Sequence, residues 1–168
     1  TRKLNKASDI IFESAFISTG QRCTCARRLI LPNIKSSKKL VKTLKNKSIN
    51  IKYEQTSSDY FYGPLISKNA VKSFLKFQDN LIKAGGKAIL KGKKIKSKGN
   101  YVSPAIIDMT KAKKHIDKEM FGPLIQINYV DSFNEAIEEA NNTAFGLSAG
   151  LISDNRELFD KFVNEVSA

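Results

Sequence analysis

Apolar residues recur at helical spacing near the start of the chain. Ile10, Ile11, Ala15 and Phe16 fall near one face of a helix predicted over residues 7–19, and Gly20 is a natural stop. Residues 26–31 read as a strand closed by Pro32. Residues 37–46 read as a Lys-rich amphipathic helix with Leu40, Val41 and Leu44 inward. Residues 55–66 read as a loop. Ser67 then caps a strong helix: Val71, Phe74, Leu75, Gln78 and Ile82 sit at helical spacing, and Gly85 and Gly86 end it.

Short strands are predicted over residues 87–90 and 101–107, with a weak helical turn around 112–119. The alternation from Ile125 to Val130 predicts another strand. Ser132 with Glu135 forms a capping box ahead of a helix over 133–141. Residues 147–152 read as a further strand, and Asn155 opens a last helix. Strands alternating with helices predict an α/β fold, a largely parallel sheet flanked by helices. The 168 residues fit one domain with a real core, and neither an internal repeat nor a shift in composition marks a second.

Charge changes this picture little. The net charge is +13, carried mostly by lysine. A nucleic-acid-binding module is the reading that charge alone supports, and it predicts strongly salt-dependent binding. The lysines, however, are dispersed and not interleaved with stacking aromatics, so solvated faces are the simpler reading. The densest stretch, Lys91, Lys93, Lys94, Lys96 and Lys98, reads as a solvated loop. No apolar run is long enough to cross a bilayer, and no nucleic acid or membrane is the expected partner. The chain opens without Met and without a secretory pattern, as an excised segment does.

Two cysteines, Cys23 and Cys25, and one histidine, His115, exclude a disulfide scaffold and argue against a structural metal site. A reducing, cytoplasmic compartment is the default. His115, beside Lys113 and Lys114, reads as an exposed surface residue. Cys23 is placed between a helix that stops at Gly20 and the strand that follows. A thiol at such a junction can have backbone N–H groups aimed at a bound oxyanion.

Phe16, Gly20, Gln21, Cys23 and Arg28 match the pattern F-x-x-x-G-Q-x-C-x-A/C-x-x-R, and the segment resembles the active-site signature of the aldehyde dehydrogenase superfamily. The string from Gly20 to Leu29 resembles most closely one branch, the N-succinylglutamate 5-semialdehyde dehydrogenases of arginine catabolism. Lys118 to Leu124 resembles the family's E-x-F-G-P element. Weaker likenesses follow in order at Tyr62–Ile66, at Tyr101–Ala105, and from Glu135 through Asn141 to Phe145–Leu151, with Phe145 where Tyr is common and Ala105 where Thr is. Together they span nearly the whole chain.

The resemblance implies a catalytic-domain fold of the aldehyde dehydrogenase type and NAD(P)-dependent oxidation of an aldehyde to an acid. It implies Cys23 as nucleophile, with its own N–H as half of the oxyanion hole, and Cys25 packed behind the site. Glu119 would hold the nicotinamide ribose hydroxyls, and Phe121 would pack near the nicotinamide. Without the likeness, Glu119 reads as a surface carboxylate and Phe121 as a core ring before a turn.

The family's general-base Glu, the amide of its oxyanion hole and its Gly-rich phosphate region have no counterpart in residues 1–168. The cofactor, NAD with NADP as the alternative, is therefore expected to be held mainly by a separate cofactor-binding domain. The whole enzyme is expected to be a homo-oligomer, and residues 1–168 alone are expected to be inactive. A substrate bearing carboxylates would suit a basic residue such as Arg22, beside Cys23. Another aldehyde dehydrogenase branch, and a non-catalytic interaction domain of the same descent, remain as alternatives.

Overall fold

A computed structural model describes residues 2–52 and 61–167. Helix α1 (Arg2–Phe16) leads through a 3-10 turn (Ile17–Gly20) to strand β1 (Arg28–Pro32). Helices α2 (Lys35–Ile49) and α3 (Lys68–Lys83) follow, then strands β2 (Lys87–Leu90), β3 (Ala105–Asp108) and β4 (Leu124–Val130), and helices α4 (Phe133–Asn141) and α5 (Arg156–Glu165). The sheet order is β1-β4-β3-β2. β4 pairs in parallel with both β1 and β3, and β2 runs antiparallel to β3. The α/β fold with a largely parallel sheet flanked by helices is thus observed.

Sheet alternation divides the core in two. Ile106, Ile125 and Ile127 point to one face, where Ile11, Ala15 and Phe16 of α1 and Leu40, Val41 and Leu44 of α2 cover them. Ala105, Ile107 and Leu124 point to the other, against Val71, Phe74, Phe77 and Leu81 of α3. Burial on both faces explains why β3 reads as an apolar run, while β4 alternates beyond its buried start. Ile10, expected inward, is 44% exposed, because α1 turns Ile11, Ala15 and Phe16 to the sheet instead.

The helix signals behave as their chemistry dictates. Ser67 Oγ accepts the Ala70 N–H at 3.1 Å, and Ser132 Oγ accepts the Glu135 N–H at 3.1 Å. Glu135 reaches back one residue further than a capping box does, to the Asp131 N–H. Asn155 caps α5 by accepting the Leu158 N–H. The buried Gln78 of α3 is satisfied on both sides by the backbone of Gly92. That clamp fixes the start of the Lys-rich loop, whose five lysines are all exposed.

Three further expectations change. The helical turn predicted around 112–119 does not form: the stretch between β3 and β4 is irregular. The segment predicted as a strand over 101–107 is regular only over β3, preceded by an isolated bridge from Val102 to Lys94. The strand predicted over 147–152 does not form: Leu147 is 67% and Ile152 49% exposed, and no described strand pairs with this stretch. An apolar pattern supplies a face, but a strand also needs a backbone partner. Part of the predicted 55–66 loop, residues 53–60, lies outside the described residues.

Candidate functional site

The turn after α1 is built from strained backbone. Ser18, Thr19 and Gly20 all have left-handed conformations, with φ of 53°, 58° and 66°. For a β-branched residue such as Thr19 this costs about 1–3 kcal/mol and persists only where the surroundings impose it. Here Thr19, buried, donates its hydroxyl to the Gly63 carbonyl at 2.7 Å. Gln21 adds a second clamp to the same loop. Its Nε2 donates to Ser18 O at 3.3 Å and Pro64 O at 3.2 Å, and its Oε1 accepts the Ile66 N–H at 2.9 Å. The Tyr62–Ile66 and Gly20–Cys23 sequence motifs are therefore one structural unit.

That turn presents Cys23 to solvent and buries Cys25. The Cys25 thiol donates weakly to Ile17 O at 3.6 Å. None of the described residues accepts the Cys23 N–H. Arg22, exposed, is anchored at Nε by Ser18 Oγ at 2.9 Å.

Arg27 ties the turn to the next motif. Its guanidinium donates to Gly20 O at 2.7 Å and to Arg22 O at 2.9 Å, and it lies 5.2 Å from the centre of the Phe121 ring. Burial holds the Arg27 guanidinium below its ordinary range, while the negative forms of Cys25, Glu119 and Cys23 act in the opposite direction. Gly20 makes the closest approach: a Cβ there would overlap the carbonyl oxygen of Gly122.

Strand register explains why these motifs meet. β1 and β4 run parallel, with Arg28 opposite Gln126, and the Gln126 N–H donates to Arg27 O at 2.9 Å. Cys23 and Phe121 each stand five residues before that pair, so both motifs enter neighbouring strands from the same end. Phe121 is 41% exposed, not the core ring that burial statistics suggest. Glu119 is half-buried, and its carboxylate makes no hydrogen bond or ion pair with a described residue. Cys23, Glu119 and Phe121 are thus gathered at one end of the β1–β4 pair, with Arg27 between them.

Other candidates fall elsewhere. His115 is exposed, as expected, on a shallow surface depression with Asn80, Lys83 and Lys114. Among the described residues no three His, Cys, Asp or Glu side chains gather as a metal site would require, and no helix is long and apolar enough to cross a membrane. Arg28, part of the cysteine motif, faces away to an ion pair with Glu139 of α4. Sequence reasoning passed over Thr19 and Arg27. Arg27 was visible only as part of the Gly20–Leu29 string, with no role attached to it.

The sequence model described as the aldehyde dehydrogenase family matches residues 1–168. N-succinylglutamate 5-semialdehyde dehydrogenase from Paraburkholderia xenovorans is 40% identical over 158 residues, covering 93% of this chain and 32% of the relative. The protein of that name from Vibrio cholerae (strain M66-2) is 41% identical over 160 residues, covering 94% and 33%. The chain spans about a third of the length of the curated relatives it matches. Among solved structures, 1-pyrroline-5-carboxylate dehydrogenase from Thermus with bound NAD superposes with a TM-score of 0.86 at 25% identity, over 96% of this chain and 31% of that one. An aldehyde dehydrogenase from Bacillus cereus (E194S mutant) superposes with a TM-score of 0.89 at 27% identity, over 98% and 34%.

Proposed function

This chain belongs to the aldehyde dehydrogenase family, and from that premise we propose that it supplies the nucleophile and part of the cofactor seat for NAD(P)-dependent oxidation of an aldehyde to a carboxylic acid. The observation that carries the reading is the exposed Cys23 on a clamped turn, at the same strand end as Glu119 and Phe121. The activity belongs to a polypeptide of the relatives' length, in which a separate domain holds most of the cofactor.

The side chains suit that group. A carboxylate with no hydrogen-bond partner among the described residues, as at Glu119, can accept two ribose hydroxyls. The Phe121 ring, capped on one side by Arg27 and exposed, offers an apolar surface for a flat heterocycle. A bound nicotinamide supplies the hydride acceptor.

Cys23 does the covalent work. Its thiolate adds to the aldehyde carbon to give a thiohemiacetal, and the Cys23 N–H, which no described residue accepts, supplies a donor to the oxygen as charge develops there. Loss of hydride from that carbon leaves a thioester on Sγ. Water then releases the acid and regenerates the thiol, with a general base from outside these residues. Sulfur serves both halves, because the thiolate attacks well and departs well.

For the substrate we favour N-succinylglutamate 5-semialdehyde, supported by the names of the curated relatives and by the exposed Arg22 next to the nucleophile. The test is NADH formation by the full-length polypeptide on that aldehyde, beside Cys23→Ser. Turnover that vanishes in the variant is expected. Turnover only on aldehydes without carboxylates discards the substrate, and turnover that survives the substitution discards the nucleophile.

A further inference from the structure

Arg27 fills an unspecified position of the cysteine motif, yet it touches both that motif's turn and the E-x-F-G-P segment. Its two terminal nitrogens hold the carbonyls of Gly20 and Arg22, which bracket Gln21 at the start of the Cys23 turn. The central carbon of the same group lies over the Phe121 ring, 5.2 Å from its centre. Holding two carbonyls through separate terminal nitrogens while lying over a ring suits the forked, weakly hydrated guanidinium. Lysine could reach one carbonyl or the ring, but not all three at once. The cost of burying this cation argues that the arrangement is kept for something. A hydrogen-bonding partner for the turn alone could have been neutral.

We propose that Arg27 is a positioning residue that sets the Cys23 turn against the Glu119–Phe121 segment, so that the proposed nucleophile and the proposed nicotinamide surface meet at a fixed separation. The proposal deepens the functional reading above and rests on it for the identity of the two groups. The coupling between the two segments can be measured without it.

The first measurement needs no turnover. In the full-length polypeptide, the rate of Cys23 alkylation by iodoacetamide is compared in the parent, Arg27→Met, Phe121→Ala and the double variant. If Arg27 joins the two segments, each single change alters the rate and the second adds little to the first. Fully additive effects overturn the proposal.

The second measurement uses aldehyde deuterated at C1. In Arg27→Lys, which keeps the charge and folds with one carbonyl still held, kcat falls about tenfold, the scale expected from losing one charged hydrogen bond. The deuterium isotope effect on kcat rises, because the hydride step is the one burdened by a misplaced turn. A fall in kcat with an unchanged isotope effect means only fewer active molecules, and it too overturns the proposal. A parent with no aldehyde-dependent NADH formation sinks the functional reading instead, and the alkylation cycle still decides the role of Arg27.

Discussion

Gly20 and Gly122 touch main chain to main chain: a Cβ on Gly20 would lie 2.6 Å from the Gly122 carbonyl carbon. The turn before Cys23 and the turn after Phe121 are therefore packed as closely as two backbones allow. Gly20→Ala meets both a left-handed φ and this overlap, so the two penalties add. A loss of more than about 2 kcal/mol of stability is expected, with the midpoint of urea unfolding as the measure. A midpoint unmoved from the parent's would mean that the two turns are not pressed together as described.

The two cysteines separate by accessibility. Iodoacetamide at neutral pH should modify Cys23 in the folded protein and leave Cys25 until the chain is unfolded, as mass spectrometry of the peptides can read. Cys25→Ala should cost about 1 kcal/mol, the value of a small buried apolar group. Equal labelling of both thiols would contradict the buried position of Cys25.

Gln21 holds the turn to the Tyr62–Ile66 loop through two hydrogen bonds and braces the turn itself with a third, to Ser18 O. Gln21→Ala leaves the Ile66 N–H and the Pro64 carbonyl without their partner. The expected loss is about 1–3 kcal/mol, softened where water reaches the exposed loop. Proteolysis should speed up around residues 61–66, and unchanged cleavage there would argue that the loop is held by other contacts.

Asp117 gives a pH signature. Burial pushes its carboxyl up, but the Ala144 N–H, the Thr143 hydroxyl and the charges of His115 and Arg28 outweigh that and hold it below the usual carboxylate range. A carboxyl depressed on folding stabilises the folded state above its unfolded pKa, and that contribution disappears as pH falls through the folded value. Acid unfolding of Asp117→Asn should therefore start from lower stability at neutral pH and show a shallower acid dependence. Parallel pH curves for the two proteins would remove Asp117 from the account.

Much of this was legible because it is local. Ser67, Ser132 and Asn155 announce their helices through a bond to an amide three residues on. Leu40, Val41 and Leu44 announce a buried stripe by spacing alone. The cysteine and E-x-F-G-P segments were visible as strings. What the strings conceal is how they are joined. The Gln21 bonds reach more than forty residues along the chain, and Arg27 reaches Phe121 across the sheet. The left-handed Thr19 is invisible to propensity, since its conformation is imposed by a distant carbonyl. Residues 147–152 fail in the opposite sense, because the local pattern is present but no described strand pairs with it.

The parallel pairing of β1 with β4 has a consequence of its own. Each residue of slip between the two strands would carry the Cys23 arm about 3.3 Å past the Phe121 arm, and an odd slip would also turn Leu31 or Ile127 out of the core. The ladder thus acts as a ruler for the chemistry above it. Insertions in the arms can be absorbed by the turns, but an insertion inside either strand would have to choose between keeping the interior filled and keeping the two arms level.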